Sequence, residues 1–275
     1  MINRSHKMSE RALAVVTWAA AIVTIAVLAY IIGFIFVKGV PYIKPSLFSP
    51  TYNSDNVSLM PALISTILMT ALSLAIAVPL GVLSAVYLTE YAKRGNKAVA
   101  LIRMTMETLS GIPSIVYGLF GMLFFVTFLG WGFSVLAGTF TLSIMILPLI
   151  MRSSEEAILA VPDTYREGSF GLGAGTLRTV FRIVLPSAVP GILAGVILAV
   201  GRIVGETAAL IYTSGTVAQV PENVYESART LSVHMYALSS EGLHIGEGYA
   251  TAAVLLVVVI LINTCSAWIA KRIGR

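Results

Sequence analysis

The stretch AVPGILAGVILAVGRIVGETAALIY, residues 188–212, decides the fold. A helix needs about 20 residues, at about 1.5 Å each, to cross roughly 30 Å of hydrocarbon, and this run exceeds that length. It holds only two charged side chains, Arg202 and Glu206. Five further runs have similar character, from Leu13 to Val37, Met60 to Leu88, Leu109 to Leu129, Trp131 to Met151 and Tyr249 to Ala270. The third and fourth are parted only by Gly130, flanked by Gly132, so a tight turn is predicted there.

Composition agrees with an all-α integral membrane protein of six transmembrane helices. The 275 residues are 57% hydrophobic and 11% charged, whereas soluble domains carry about 25% charge. Abundant Val, Ile and Leu exclude disorder, and a single cysteine, Cys265, excludes a disulfide scaffold. Fourteen of the 18 Lys and Arg residues fall in the N-terminal segment, the second and fourth loops and the C-terminal segment. Cytoplasmic loops carry the basic excess, so both termini are predicted to be cytoplasmic. The net charge of +5 then reflects topology and gives no reason to expect a nucleic-acid partner. The first run has no small-x-small motif at its end, which argues against a cleaved signal peptide. The chain divides into residues 1–59 (tail, first helix and outer loop), 60–270 (five-helix core with a cytoplasmic loop at 152–187) and 271–275 (tail).

The loops differ in character. Lys38 to Leu59 contains Pro41, Pro45 and Pro50 and reads as an irregular outer connection. In the second outer loop, Thr213 to Gly248, an apolar stripe at Val224, Ala228, Leu231, Met235 and Leu238 predicts a helix capped by Asn223 and Glu226. That helix either lies on the bundle surface or docks an outside partner. In the cytoplasmic loop, Thr164 and Glu167 have capping-box spacing after Pro162, and Gly171, Gly173 and Gly175 end the short helix they begin. A second amphipathic helix follows through Leu177, Val180, Phe181, Val184 and Leu185, with Pro186 and Pro190 opening the fifth span. Two short helices projecting at right angles suggest a socket for another protein; the alternative is an interfacial hairpin with no partner.

Arg202 and Glu206 are four apart, at about 21 Å and about 27 Å along a helix starting near Ala188, and therefore on one face. Ionisable groups at such depth cost at least about 2.5 kcal/mol each and face a bundle interior or a water-filled path. They form either a functional pair or an ion pair that only orients the helix. Gly191 with Gly195, and Gly201 with Gly205, offer close-packing positions.

These residues carry a family resemblance. Glu167-Gly168-Ser169, three residues, Gly173, nine residues, then Ile183-Val184-Leu185-Pro186 resembles the cytoplasmic loop of bacterial ABC-importer permeases, with Gly168 and Ser169 in place of two alanines. In that family the loop docks into the cytoplasmic ATPase subunit, which implies that Glu167, Gly168, Ser169, Gly173, Ile183, Leu185 and Pro186 form the coupling site. The Leu109–Gly118 and Gly201–Ala208 stretches resemble the phosphate-specific branch. Thr207–Leu210 and Arg152–Ala157 are similar to its A-type permease subunit, and the likeness runs from about Pro61 onward. The resemblance implies a type I importer permease that pairs with a homologous second permease subunit, two cytoplasmic ATPase subunits that hold ATP and Mg, and an extracytoplasmic phosphate-binding protein. Inorganic phosphate, or another oxyanion such as sulfate or molybdate, would be the cargo.

Arg is suited to an oxyanion, since its fork of donors keeps its charge inside a membrane. Glu206 would repel a bare dianion but can accept a hydrogen bond from the P–OH of monohydrogen or dihydrogen phosphate. Arg152, at the cytoplasmic end of the fourth span, would receive the ion on exit or serve only as a positive-inside anchor. The chain has no Gly-x-x-x-x-Gly-Lys-Ser/Thr phosphate loop, so it is read as a permease and not as an enzyme. His6, His234 and His244 are scattered, and no metal site is expected. A secondary transporter would spread charges over several spans and show repeats or broken helices. A membrane enzyme would need a polar cluster at one face, to which only Arg152, Glu155 and Glu156 come close.

Overall fold

The computed structural model describes residues 4–93 and 95–273, and every regular element among them is helical. Arg94, Arg275 and the side chains of Arg4, Lys7, Arg11 and Lys271 lie outside the described residues, and so does that share of the charge asymmetry. Five helices are long and apolar enough to span a membrane, or six if one bent pair counts as a span. They begin with α1 (Arg4–Gly39) and α2 (Met60–Val86), which continues as a π-helical turn to Tyr91.

The sixth candidate is the bent pair. α3 (Lys97–Ser110) and α4 (Ser114–Gly121, continued as π-helix to Phe128) meet at 101°. The third span was expected from Leu109, but Leu109 and Ser110 end α3, and the membrane-crossing part starts after Pro113. Pro113 disfavours helix at Ile112, so the chain turns there. The remaining span reaches only about 22 Å. The expected turn at Gly130 is present, with Gly130 at φ 69° and Gly132 at φ 66°. Ser134 then caps α5 (Val135–Leu159) by accepting from the Ala137 amide.

α5 is the central helix, flanked by α2 and by α8 (Leu185–Val204). Small residues bring the three together. A Cβ on Gly191 would meet Ala157, and one on Gly195 would overlap Ser153, so two small-residue pairs four apart face each other across α5 and α8. Gly201 faces open space, so the second glycine pair packs no helix. Ser143 Oγ donates to the carbonyls of Thr139 and Ser73, a polar tie between α5 and α2. α1 packs on α11 (Ile245–Ile273) at the edge.

Four boundaries depart from the sequence reading. α5 runs on to Leu159, so Arg152, Glu155 and Glu156 are helical and the loop starts at Ala160. The loop helix α6 (Asp163–Gly171) begins directly after Pro162 with no side-chain cap, and Thr164 lies inside it. The second loop arm is not a separate helix: α7 (Thr176–Thr179), a π-helical turn at Val180–Val184 and α8 form one run from Thr176 to Val204. The wide turn accommodates Pro186 without a break. Within that arm Val180 and Val184 are buried, whereas Leu177 and Phe181 are exposed.

The fourth departure is the outer-loop helix. Asn223 and Glu226 make a compact turn, Glu226 accepting from Asn223 Nδ2 and from the Glu222 amide, and the helix α10 spans only Leu231–Glu241. Residues 224–226 instead extend along the start of α5, where the amides of Val135 and Leu136 donate to the carbonyls of Glu226 and Val224. The first turn of α10 is embedded, with Leu231 to His234 fully buried, while Tyr236 and the C-terminal end are exposed.

Candidate functional site

The fifth span stops short of Glu206. α8 ends at Val204 with Arg202 in its last turn, the chain bends at Gly205, and a single turn, α9 (Ala208–Ile211), follows. Arg202 and Glu206 are therefore not stacked on one helix face, and among the described residues no ion pair joins them. Each charge complements a helix end. Arg202 sits at the carbonyl end of α8, and Glu206, buried at 8% exposure, accepts from the Ala209 amide at 3.0 Å at the start of α9. Arg202 is half-buried and lies near enough to Tyr117 of α4 for its charge to act on that hydroxyl. α4 and α9 touch closely, since a Cβ on Gly118 would meet Ala209 Cα at 2.8 Å. Two discontinuous helices thus lie beside each other near Arg202, so broken helices do not single out a secondary transporter here.

Arg152 lies elsewhere, at the basic end of the bundle. It lines an open groove of about 960 Å³ between α3 and the second half of α5, together with Lys93, Lys97, Arg103 and Glu107. It is 61% exposed and donates through Nε to Glu156 at 3.0 Å. Arg103 pairs with Glu155 at 2.5 Å and holds α3 against α5.

The loop residues meet around α6. Glu167 and Gly168 are exposed, and Gly168 has open space where a side chain would be. Ser169 is buried, its Oγ 2.8 Å from Thr179 Oγ1, so a serine in place of alanine ties α6 to the second arm. Gly173 turns the chain at φ 81°, a left-handed conformation that glycine adopts at low cost. Ile183 and Leu185 are half-buried, and Pro186 is exposed. Tyr165, Phe170, Leu172, Leu177 and Phe181 leave their apolar surfaces uncovered around this turn.

Two functional features escaped the sequence reading. The first is Arg166, counted there only as a loop charge. Its guanidinium donates to Glu90 at the end of α2 at 2.7 Å, to the carbonyls of Val161 and Ile158, and to Asp163. Glu90 and the Arg166 side chain are 10% and 15% exposed. One side chain therefore joins the loop helix to α2 and α5. The second lies at the opposite end of the bundle, where buried Arg229 and His234 meet the half-buried ring of Tyr52. The contacts that complete each feature, Glu90 with Arg166 and Tyr52 with Arg229 and His234, are long-range and leave no spacing signal in the sequence. Among the described residues no group of His, Cys, Asp and Glu could hold a metal.

Comparison with known proteins agrees with the architecture. The family described as "Binding-protein-dependent transport system inner membrane component" matches residues 77–275. A probable ABC transporter permease, YqgI of Bacillus subtilis, is 37% identical over 221 residues, 74% of each chain. The phosphate transport system permease protein PstA of Haemophilus influenzae is 31% identical over 255 residues, covering 90% of this chain and 88% of its own. A solved bacterial ABC transporter involved in alginate import superimposes with a TM-score of 0.64 at 20% identity, covering 99% of this chain and all of that one. The inward-facing MetNI methionine ABC transporter gives 0.61 at 21% identity, over 79% of this chain and 94% of its own.

Proposed function

Because the chain belongs to the binding-protein-dependent transport system inner membrane components and has the type I ABC-importer permease fold, we propose that it is the subunit through which inorganic phosphate crosses the membrane. The observation that carries the reading is Arg202, a membrane-depth guanidinium without an ion pair among the described residues, set where α8 breaks. A cation in that position attracts an oxyanion. Glu206 stands four residues on with one carboxylate oxygen committed to the Ala209 amide. Its other oxygen is available to accept from a P–OH, which monohydrogen and dihydrogen phosphate have and sulfate lacks. Relatives named as phosphate transport permeases support the same cargo.

The remaining parts follow from this reading. Both termini and the α6 loop face the cytoplasm, where the apolar rim of Tyr165, Phe170, Leu172, Leu177 and Phe181, with Glu167 beside it, docks an ATPase subunit that holds ATP and Mg. A homologous permease subunit completes the pathway, a phosphate-binding protein delivers the ion outside, and Arg152 with its groove receives it inside. Arg202→Gln is expected to abolish uptake of labelled phosphate while the assembled complex is still recovered. Normal uptake by that variant refutes the reading, and uptake of labelled sulfate or molybdate in place of phosphate reassigns the cargo.

A further inference from the structure

Arg229 is a physical anomaly. It is 6% exposed, its Nε and Nη2 have no hydrogen-bond partner, and no carboxylate lies within ion-pair distance among the described residues. A buried unpaired cation costs several kcal/mol, so folded proteins retain one only where something compensates it. The compensation present is partial, a Tyr52 ring 4.7 Å from the guanidinium carbon. Tyr52 also meets the edge of His234, whose two ring nitrogens are buried and unpartnered.

The cluster sits at the first turn of α10, an eleven-residue helix whose amide end favours an anion. It is wired to the neighbouring elements. The Leu231 amide donates to Thr66 Oγ1 on α2, and Ser232 Oγ donates to the Glu206 carbonyl at 2.5 Å. Three residues of chain therefore connect Arg229 to the break after α8. Five residues after Tyr52, Val57 holds φ 46°, a strained conformation for a β-branched residue. The Val57 backbone faces the His234 ring.

We infer that Arg229, Tyr52, His234 and the first turn of α10 form an oxyanion-binding station on the outer side of Glu206. This rests on the phosphate reading above and adds a site that precedes Arg202. Arg229 supplies the fork for two anion oxygens. Burial, and then the Arg229 charge, push His234 down to about 3, so its imidazole is neutral and has one nitrogen free to accept from a P–OH. A fully deprotonated oxyanion offers no such donor, and a site built around that bond disfavours it. The occupant is a soluble ion. A lipid headgroup would present the same phosphate chemistry, and the test separates the two.

The test uses the chain assembled with its partner subunits in phosphatidylcholine nanodiscs, with Tyr52→Trp as reporter and the unmodified complex, to which this chain contributes three native tryptophans, as baseline. Inorganic phosphate is expected to change the emission of the introduced indole saturably, and chloride at equal ionic strength is not. Arg229→Lys keeps the charge and loses the fork, and is expected to raise the half-saturating phosphate about tenfold, the loss of one charged hydrogen bond. Arg229→Met is expected to abolish the response. Arg202→Gln is expected to keep the response while losing uptake, which separates failure of the station from failure of the transport reading. The inference is overturned if phosphate has no effect, if Arg229→Met responds as the parent does, or if phosphatidylglycerol alone produces the change. A response to sulfate and not to phosphate overturns the ligand assignment.

Discussion

Removing the Arg166–Glu90 joint tests whether the loop is rigidly held to the bundle. In Arg166→Gln the loss comprises two donations to Glu90 Oε1, from Nη2 at 2.7 Å and Nε at 3.1 Å, two donations to carbonyls, Val161 at 2.8 Å and Ile158 at 3.0 Å, and the exposed bond to Asp163. Both side chains are largely buried, so Glu90 is left as an uncompensated charge, and about 3–5 kcal/mol is expected. Glu90→Gln costs less, about 1.5–3 kcal/mol, because the guanidinium keeps both carbonyls and Asp163. Asp163→Asn should cost under about 1 kcal/mol, since that carboxylate is 80% exposed. The assay is denaturant unfolding of the purified complex in mixed micelles for the two single variants and the double variant. The double variant is expected to fall short of the sum by about 1–3 kcal/mol. Additivity within about 0.5 kcal/mol would show that the two side chains do not act together and would refute the joint.

Two further outcomes follow from packing and protonation. Gly195→Leu drives a side chain into Ser153 on α5, where even a Cβ has no room, so it is expected to destabilise the bundle by about 1–3 kcal/mol or more; Gly201→Leu, facing open space, is the control in the same thermal-unfolding series. His234 has a folded pKa near 3 against 6.5 when unfolded, so the unfolded chain takes up the proton first as pH falls. Stability is therefore complete above about pH 6.5 and declines below it, by roughly 2–3 kcal/mol at pH 4.5. His234→Gln should flatten that acid limb in a Tm-versus-pH series, and an unchanged slope would count against the buried neutral ring.

What the sequence disclosed, and what it did not, divides along physical lines. Apolar run length is a property of consecutive residues, so α1, α2, α5 and α11 are legible from it. Loop spacing likewise marks α6 and its turn at Gly173. Gly191 and Gly195 announce a close contact, although nothing in the chain names Ser153 and Ala157 as the partners. The misreadings concern helix continuity. Pro186 and Pro190 look like a boundary yet lie within one helical run, Pro186 in the first turn of α8 after a π-helical turn and Pro190 inside α8. Gly205 looks like one more packing glycine yet is where the helix ends. Arg166 and Arg229 are invisible as sites because their significance lies in partners 76 positions away for one and in the absence of an ion pair for the other.

Helix continuity also decides how the proposed parts can work together. From Thr176 in the loop to Val204 the chain is one helical run, about 43 Å long, with Ser169 bonded to Thr179 at one end and Arg202 in the last turn at the other. The Gly191 and Gly195 contacts with α5 lie between these ends and leave no side chain to yield at the crossing, so they suit a fulcrum more than a sliding surface. The run stays a single span despite its π-helical turn and two prolines, the positions at which helices kink, so a shift of the loop arm that is not taken up as a bend there reaches Arg202 as a displacement of the rod. Glu206 is tied to both sides of the break. Its amide donates to the Ile203 carbonyl of α8 at 3.0 Å, while its carboxylate is bonded to α9 and its carbonyl accepts from Ser232 at the start of α10. The break at Gly205 thus sets Arg202, within the long run, apart from a charge that is also anchored to α9 and α10. Under the proposed function that separation lets ATP-driven motion change the spacing of Arg202 and Glu206 around the ion, which the single continuous helix expected from the sequence would have held fixed.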